Sequence, residues 1–208
     1  MHALLGGTFD PIHRGHLHIG QAVAQQLSLS QIALLPNRQP YYRSPPQTSA
    51  EQRLCMLQLA IIDQPLFTID DRELRLPTLK YTVQTLQAIR QGIGDRQPLL
   101  MIIGEDAWLN LPQWHQWQRL LDYSHLIICH RPGYRTHHLP VHRAWGSRQV
   151  GQPQRLHEKP HGYFYLANVA PIPISATMIR QRLQKGLSCN DWLPLAVADY
   201  IQQHQLYR

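Results

Sequence analysis

Glycines and histidines near the start of the chain could together hold a phosphate group. Gly6 and Gly7 follow a short apolar stretch, and His13 and His16 are three positions apart around Gly15. Glycines directly after a strand let the backbone approach a ligand closely, and their exposed N–H groups form a concavity that suits anions. Imidazole rings can donate hydrogen bonds to phosphate and stabilise charge that grows in a transition state. This segment therefore predicts a phosphate-binding loop in which neither histidine needs to be a nucleophile.

Other interpretations of this loop have less support. His13, His16 and His18 could together bind a metal ion, but no carboxylate or cysteine pair completes the ligand set, so we predict no protein metal site. A glycine pair alone is compatible with many nucleotide folds. It matches neither the G-x-G-x-x-G pattern nor the P-loop pattern, which disfavours an NAD-dependent dehydrogenase and a P-loop ATPase.

Short apolar segments alternate with amphipathic ones along the chain, and these must position the loop. We predict strands at 3–5, 31–35, 67–69, 99–103, 126–129 and 163–166. We predict helices at 16–29, 51–62, 82–90, about 175–186 and from 194 onward. This alternation, with fully apolar strands, favours an α/β fold: a Rossmann-like doubly wound parallel sheet with helices on both faces.

Polar groups follow three of the predicted strands directly, at 6–16, 36–43 and 104–106. Ligands of such sheets bind at the carboxyl ends of the strands, so these groups should meet at one site. We expect a single domain over 1–208, with a helical C-terminal part over about 175–208. The stretch 130–162 is rich in Pro, Gly, His and Arg, and we predict an irregular surface segment there.

Composition narrows the class of partner. The formal net charge of +7 favours anionic partners, either phosphorylated small molecules or nucleic acid. The charge is spread along the chain and no nucleic-acid-binding signature is present, so we expect no nucleic-acid partner. No apolar run approaches the ~18 residues that span a bilayer, and the N-terminus lacks a signal-peptide pattern. The three cysteines are scattered, which suits reduced thiols in the cytoplasm.

Two motifs carry a family resemblance. Residues 6–16 read GGTFDPIHRGH and resemble the GGxFDPxHxGH signature of the nucleotidyltransferase superfamily. Residues 174–180 read ISATMIR and resemble the ISSTxIR motif of the same superfamily. Shorter blocks resemble one branch, the bacterial nicotinate-nucleotide adenylyltransferases, and the likeness continues to the final residues 206–208. These blocks are 36–37, 80–86, 103–106 and 111–114.

The resemblance implies how ATP would be bound. The first motif would hold the ATP phosphates through Gly7, Thr8, Phe9, His13 and His16. The second motif would close over the same phosphates through Ser175, Thr177 and Arg180. Adenine would lie beside Ile103, Gly104 and Asp106. The resemblance further implies that His13, His16 and Arg180 stabilise charge during catalysis and that Mg²⁺ arrives with ATP.

The acceptor side follows from the same resemblance. Tyr81, Thr82 and Trp114 match the nicotinate pocket of the family, and Asn37 would reach the nucleotide or its phosphate. The chain departs from the family pattern at 39–43, where it reads QPYYR, and at Lys80, where the family tends to have Ser. Both departures lie beside the expected acceptor site.

The expected activity is transfer of AMP from ATP to nicotinate mononucleotide, which gives nicotinate adenine dinucleotide and pyrophosphate. Two alternatives stay open at this point. The same chemistry could act on nicotinamide mononucleotide or phosphopantetheine, or the chain could be a nucleotide- or RNA-binding module without catalysis. The sequence carries no indication of oligomeric state.

Overall fold

The protein folds around one parallel sheet. The computed structural model describes residues 1–38, 45–76, 78–130, 140–170 and 172–208. Within them seven strands pair in the order β3-β2-β1-β4-β5-β7-β6, and every pairing is parallel. The strands are β1 His2–Gly7, β2 Ile32–Pro36, β3 Phe67–Ile69, β4 Leu99–Gly104, β5 His125–His130, β6 Gln149–Val150 and β7 Phe164–Asn168.

Helices connect these strands. They are α1 Arg14–Leu27, α2 Ala50–Ala60, α3 Arg72–Arg75, α4 Thr82–Ile93, α5 Glu105–Leu109, α6 Pro140–Trp145, α7 Ala176–Gln184 and α8 Leu195–Gln203. Short 3-10 helices at Leu111–Gln113, Trp117–Asp122, Gly146–Arg148 and Pro153–His157 complete the connections. The fold is therefore the α/β Rossmann-like fold that the sequence predicts.

Two hydrophobic clusters cover the two faces of the sheet. Along β1, Leu5 packs into the cluster formed with α1, α2, α7 and α8, whereas Leu4 packs into the cluster that includes α4 and Trp108. Alternate residues of β4 and β5 divide between the clusters in the same way. Because successive side chains of a strand point to opposite faces, strands buried on both faces must be apolar throughout, as the sequence pattern indicates.

The strand order reverses beside β1. The chain adds β2 and β3 on one side of β1 and then crosses over to place β4 on the other side. The carboxyl ends of β1 and β4 consequently lie side by side at the switch point, where ligands of doubly wound folds bind. Gly7 and Gly104, the last residues of these two strands, therefore open onto the same cleft.

Several elements differ from the sequence-based expectation. The helices α3, α5 and α6 have four, five and six residues, and the strand β6 has two. Elements of this length are too short to produce a periodic pattern. Residues 131–139 of the predicted irregular segment lie outside the described residues. In 140–162 the chain is partly regular, since α6, β6 and two 3-10 helices form there and Val141, Trp145 and Leu156 are buried.

No described helix is both long and apolar enough to cross a bilayer.

Candidate active site

A cavity of about 1040 Å³ opens at the carboxyl ends of β1 and β4. It is at the upper end of the volumes typical of ligand pockets. Both sequence motifs contribute to its wall, although they stand near opposite ends of the chain. Of the predicted site residues, those that line it are Gly7, Thr8, Phe9, His13, His16, Asn37, Thr82, Ile103, Gly104, Asp106, Trp114, Ser175, Thr177 and Arg180.

The first motif forms a tight turn between β1 and α1. Phe9 has a positive φ of 51°, and its buried ring lies against His16 with 4.9 Å between ring centroids. A Cβ on Gly7 would come within 2.9 Å of the Phe9 ring, so only glycine fits this approach. A Cβ on Gly15 would come within 3.0 Å of the His13 ring. Both glycines thus make room for the side chains that build the loop.

The two motif histidines form a stacked pair at the start of α1. Their ring centroids are 3.7 Å apart, and the His13 backbone N–H donates to Nδ1 of His16 over 3.3 Å. Because Nδ1 of His16 accepts this bond, the proton of the neutral ring resides on Nε2, which leaves Nε2–H as a donor. Nδ1 of His13 is buried and has no hydrogen-bond partner among the described residues.

Both histidines are neutral donors or acceptors at physiological pH. Burial lowers the pKa of His16 to about 4. Burial, with the neighbouring His16 as a smaller cause, lowers the pKa of His13 to about 2. A bound phosphate would raise both pKa values, because an opposite charge nearby favours the protonated form.

Asp10 anchors the loop to distant parts of the chain. Its Oδ1 accepts hydrogen bonds from Oγ1 of Thr48 over 2.6 Å and from the hydroxyl of Tyr207 over 2.7 Å. Its Oδ2 accepts the backbone N–H of Gln47 over 2.8 Å. Three donors from two separate segments therefore hold one buried carboxylate, which fixes the loop in place.

The second motif joins the first through Arg180. Ser175 caps α7 by accepting the backbone N–H of Met178, which leaves the first turn of the helix facing the cavity. Nη1 of Arg180 donates to the backbone carbonyl of Asp10 over 2.7 Å, and Nη2 donates to Oγ1 of Thr177 over 3.4 Å. A guanidinium carries five N–H donors, so this arginine can bind the loop and still offer donors to an anion.

Asn37 begins the loop after β2 and is tied to the first motif. Its backbone N–H donates to the carbonyl of Gly7 over 3.0 Å, and its Nδ2 donates to Oγ1 of Thr8 over 3.3 Å. Oδ1 of Asn37 is buried without a hydrogen-bond partner among the described residues. The predicted contact with a nucleotide would use this atom. The departures at 39–43 lie outside the described residues.

The predicted ring pocket is only partly assembled at the cavity. Thr82 opens α4 and lines the cavity, and Trp114 lines it from the end of a 3-10 helix while also packing against the core. Tyr81 is outside the cavity lining, and its ring stacks on His115 with 4.2 Å between centroids. Lys80, the other departure, is exposed and donates its backbone N–H to the Gln84 side chain.

The end of β4 forms the floor of the cavity. Ile103 is buried in the core, and Gly104 caps the short helix α5. A Cβ on Gly104 would come within 2.8 Å of Oδ1 of Asp106, so glycine leaves space for that carboxylate. The cavity is therefore lined here by the buried Ile103, the glycine backbone and the Asp106 carboxylate.

Comparison with known proteins agrees with this geometry. The profile of the cytidylyltransferase-like family matches residues 4–182. A protein of Yersinia pestis (strain Pestoides F) named probable nicotinate-nucleotide adenylyltransferase is 49% identical over all of this chain and 96% of its own length. A Serratia proteamaculans protein of the same name is 48% identical over the same shares of both chains.

The chain belongs to the bacterial nicotinate-nucleotide adenylyltransferase family. It is thus a nucleotidyltransferase enzyme, and this family membership confirms the resemblance carried by its two motifs.

Solved structures agree on the fold of this adenylyltransferase. One is nicotinic acid mononucleotide adenylyltransferase of Plasmodium falciparum, solved with NaAD, which has a TM-score of 0.73 at 18% identity. The matched region covers 99% of this chain and 96% of the parasite chain. The same parasite enzyme solved with APC gives a TM-score of 0.69 over the same shares. At 18% sequence identity, this likeness is evidence for a shared fold.

The structure also brings in residues that the sequence reasoning gave no role. Glu73 lines the cavity from α3 and accepts a 2.6 Å hydrogen bond from Oγ1 of Thr85. Burial raises the pKa of Glu73 to about 7. In sequence this residue is part of the charged run 72–75, which resembles a solvated surface, so only its burial distinguishes it. Arg53 and Tyr207, which hydrogen-bond the loop after β1, also had no role in the sequence reasoning.

Among the described residues, no group of three or more His, Cys, Asp or Glu side chains is arranged to hold a metal ion.

Proposed function

We propose that this adenylyltransferase transfers AMP from ATP to nicotinate mononucleotide, giving nicotinate adenine dinucleotide and pyrophosphate. The observation that carries the proposal is the meeting of both motifs at one cavity, through the hydrogen bond from Arg180 to the Asp10 carbonyl. Relatives about half identical over the full chain carry the same activity in their names.

The chemistry is an in-line displacement. A phosphate oxygen of nicotinate mononucleotide attacks the α-phosphorus of ATP, a new P–O bond forms, and the bond from the α-phosphorus to the bridging oxygen of the β-phosphate breaks. Pyrophosphate leaves with that oxygen. The enzyme contributes positioning and charge stabilisation, with no covalent intermediate.

Three side chains would act on the reacting phosphates. His16 would donate its Nε2–H, which the bond from His13 to Nδ1 has already oriented. His13 would use Nδ1, the ring nitrogen that has no described protein partner. Arg180 would supply charge-assisted hydrogen bonds to the α-phosphate and the departing pyrophosphate.

Mg²⁺ would enter with ATP. This ion prefers octahedral oxygen ligands, keeps several water molecules and commonly binds through substrate phosphates. When bound, it would neutralise part of the charge on the phosphates. The residues of the first motif would then orient the α-phosphate, and the first turn of α7 would face the pyrophosphate end. Chelation of the ion should abolish turnover while leaving the fold intact.

We propose a cytoplasmic location for the reaction. The three cysteines Cys55, Cys129 and Cys189 are all free, which suits a reducing compartment.

The test is pyrophosphate release from ATP and Mg²⁺, with nicotinate mononucleotide and nicotinamide mononucleotide assayed in parallel. Strong release with the acid and little with the amide is the expected result. Equal rates would remove the acid preference. No release with either acceptor, nor with phosphopantetheine, would contradict catalysis and favour a nucleotide-binding module, for which salt-sensitive RNA binding is then the assay.

A further inference from the structure

Arg53 is a buried cation directly beneath the phosphate loop. It is on α2 and only 1% exposed, on the same side of the helix as the core residues Met56, Leu57 and Ala60. Arginine is seldom fully buried unless it is paired with an anion. Among the described residues, no carboxylate forms an ion pair with it.

Its partners are backbone carbonyls of two different loops. Nη1 donates to the carbonyl of Thr8 over 2.8 Å and to that of Asn37 over 2.7 Å. Nη2 donates to the carbonyl of Arg38 over 3.0 Å. Thr8 belongs to the loop after β1, and the other two residues belong to the loop after β2. One planar guanidinium therefore bridges the two loops.

These loops also contact each other directly. The backbone N–H of Asn37 donates to the Gly7 carbonyl, and the Asn37 side chain donates to Thr8. Under the proposed function, the first loop binds the ATP phosphates and the second leads to the acceptor phosphate. The reacting oxygen and the α-phosphorus must be held within about 3–3.5 Å for attack, so a small relative shift of the loops would separate them.

The charge of Arg53 adds a second effect. Burial lowers the pKa of this guanidinium, and Asp10 is the main group that opposes the change. Asp10 already accepts three hydrogen bonds from other groups. Arginine keeps its proton at all physiological pH values, so a positive charge persists in a low-dielectric region below the place where two anionic phosphates would meet.

We propose that Arg53 is a positioning residue that couples the two substrate sites: it fixes the ATP loop against the acceptor loop and supplies buried positive charge to both phosphates. This inference rests on the proposed function. It assigns to α2 a catalytic contribution although Arg53 is outside the residues that line the cavity.

Arg90 provides a matched control elsewhere in the same fold. It is also buried, at 6% exposed, and donates to the backbone carbonyls of Gly94, Gln97, Tyr123 and Pro160. These carbonyls precede β4, β5 and β7, at the opposite end of the sheet from the cavity. Arg90 thus makes the same kind of contact without reaching the substrates.

The experiment compares Arg53→Lys and Arg53→Gln with Arg90→Lys and Arg90→Gln. Melting temperature, KM for MgATP, KM for nicotinate mononucleotide and kcat are measured for each, and kcat is corrected for the folded fraction. In Arg53→Lys, which keeps the charge but loses the bridging geometry, we expect kcat/KM for both substrates to fall about 10- to 100-fold. In Arg53→Gln we expect a larger fall. Both Arg90 variants should melt earlier with both KM values unchanged.

A binding measurement separates failure of this inference from failure of the proposed function. Calorimetry gives the affinity for a non-hydrolysable ATP analogue with Mg²⁺, with and without nicotinate mononucleotide. We expect the acceptor to tighten binding in the wild-type enzyme and to do so less in Arg53→Lys. If wild type is active and the Arg53 variants behave like the Arg90 variants, the inference is wrong. If wild type has no activity, an unchanged analogue affinity in Arg53→Gln would equally overturn it.

Discussion

The two ends of the cavity are built in different ways. At the proposed phosphate end, the loop after β1 is held by contacts from remote segments, with Tyr207 at Asp10 and Arg53 at the Thr8 carbonyl. Within the loop, the His13 backbone holds His16. At the proposed acceptor end, Thr82 begins α4 and Trp114 follows the 3-10 helix Leu111–Gln113. The first end is therefore preorganised before any ligand binds, which favours transition-state stabilisation. At the second end, we expect binding to depend on contact between the acceptor and the Thr82 and Trp114 side chains.

The ends also differ in their titration. Burial places the pKa values of the two motif histidines well below neutrality, at about 4 and about 2. Burial raises the pKa of Glu73, which accepts a hydrogen bond from Thr85 of α4 at the proposed acceptor end, to about 7. Near neutral pH, the phosphate end should keep a constant charge while the acceptor end changes its charge. This comparison implies that catalysis and acceptor choice can be disturbed separately.

The largest expected effect is at the phosphate end. We predict that His16→Ala lowers kcat about 10²- to 10³-fold, because an oriented donor to the reacting phosphate is lost. The melting temperature should change little, since the ring is half-buried at the cavity wall. His18→Ala is the control. His18 hydrogen-bonds the carbonyl of Ala170 and is outside the motif, so this variant should lower kcat far less. Similar kcat values for the two variants would contradict the assigned role of His16.

At the acceptor end, Trp114→Ala should raise KM for nicotinate mononucleotide about 10-fold, because stacking on a cationic ring contributes about 0.5–2 kcal/mol. KM for MgATP should stay near the wild-type value. The matched control is Trp117→Ala, whose ring packs edge-on against Trp145 at 4.9 Å. If both KM values rose together in Trp114→Ala, the tryptophan would be a packing residue for the whole cavity.

The anchoring of the loop can be weakened from the far end of the chain. Tyr207→Phe removes one of the three hydrogen bonds to the Asp10 carboxylate and should lower the free energy of unfolding by about 1–3 kcal/mol. Because the loop loosens, KM for MgATP should rise more than KM for the acceptor. Tyr200→Phe serves as the comparison, since the Tyr200 ring lies tilted against His204 with 4.2 Å between ring centroids. Equal effects on both substrates would mean that Tyr207 stabilises the fold without acting on the loop.

The smallest effect concerns pH. Above about pH 7 the Glu73 carboxyl should ionise and repel the nicotinate carboxylate, so KM for the acceptor should rise from about pH 6 to about pH 8 while KM for MgATP stays flat. The charged neighbours Asp70 and Arg72 form an ion pair with each other over 2.8 Å. Glu73→Gln should abolish the dependence, and an unchanged profile in that variant would assign the titration to another group.

The same group gives a stability prediction with a defined sign. Burial raises the pKa of Glu73 in the folded protein above its ordinary value of 4.5. The folded state therefore binds the proton more tightly than the unfolded state. The resulting contribution to the free energy of unfolding is complete below pH 4.5 and is lost as the pH rises through about 7. Chemical denaturation of wild type and Glu73→Gln across this range measures it.

Helix α2 shows why the sequence did not identify Arg53 as a buried residue. In the predicted helix at 51–62, Leu54 and Ile61 are only half-buried, whereas Arg53 occupies a core position. The available signal was an arginine spaced three, four and seven positions before Met56, Leu57 and Ala60. Pattern reading assigns such a charge to solvent, because burying an arginine is unfavourable unless distant carbonyls happen to accept its donors.

The sequence by itself determined six of the seven described strands, the described helices of nine residues or more, the fold class and the two motifs, since these depend on local periodicity and on residue types at fixed spacing. Tertiary structure alone decided which distant groups meet: Tyr207 at Asp10, Arg180 at the loop carbonyl, Arg53 between two loops, and Tyr81 on His115 instead of the cavity. The physical reason is that contacts between remote segments depend on the packing of the whole sheet, and burial, which sets the titration of His16 and Glu73, exists only after that packing has formed.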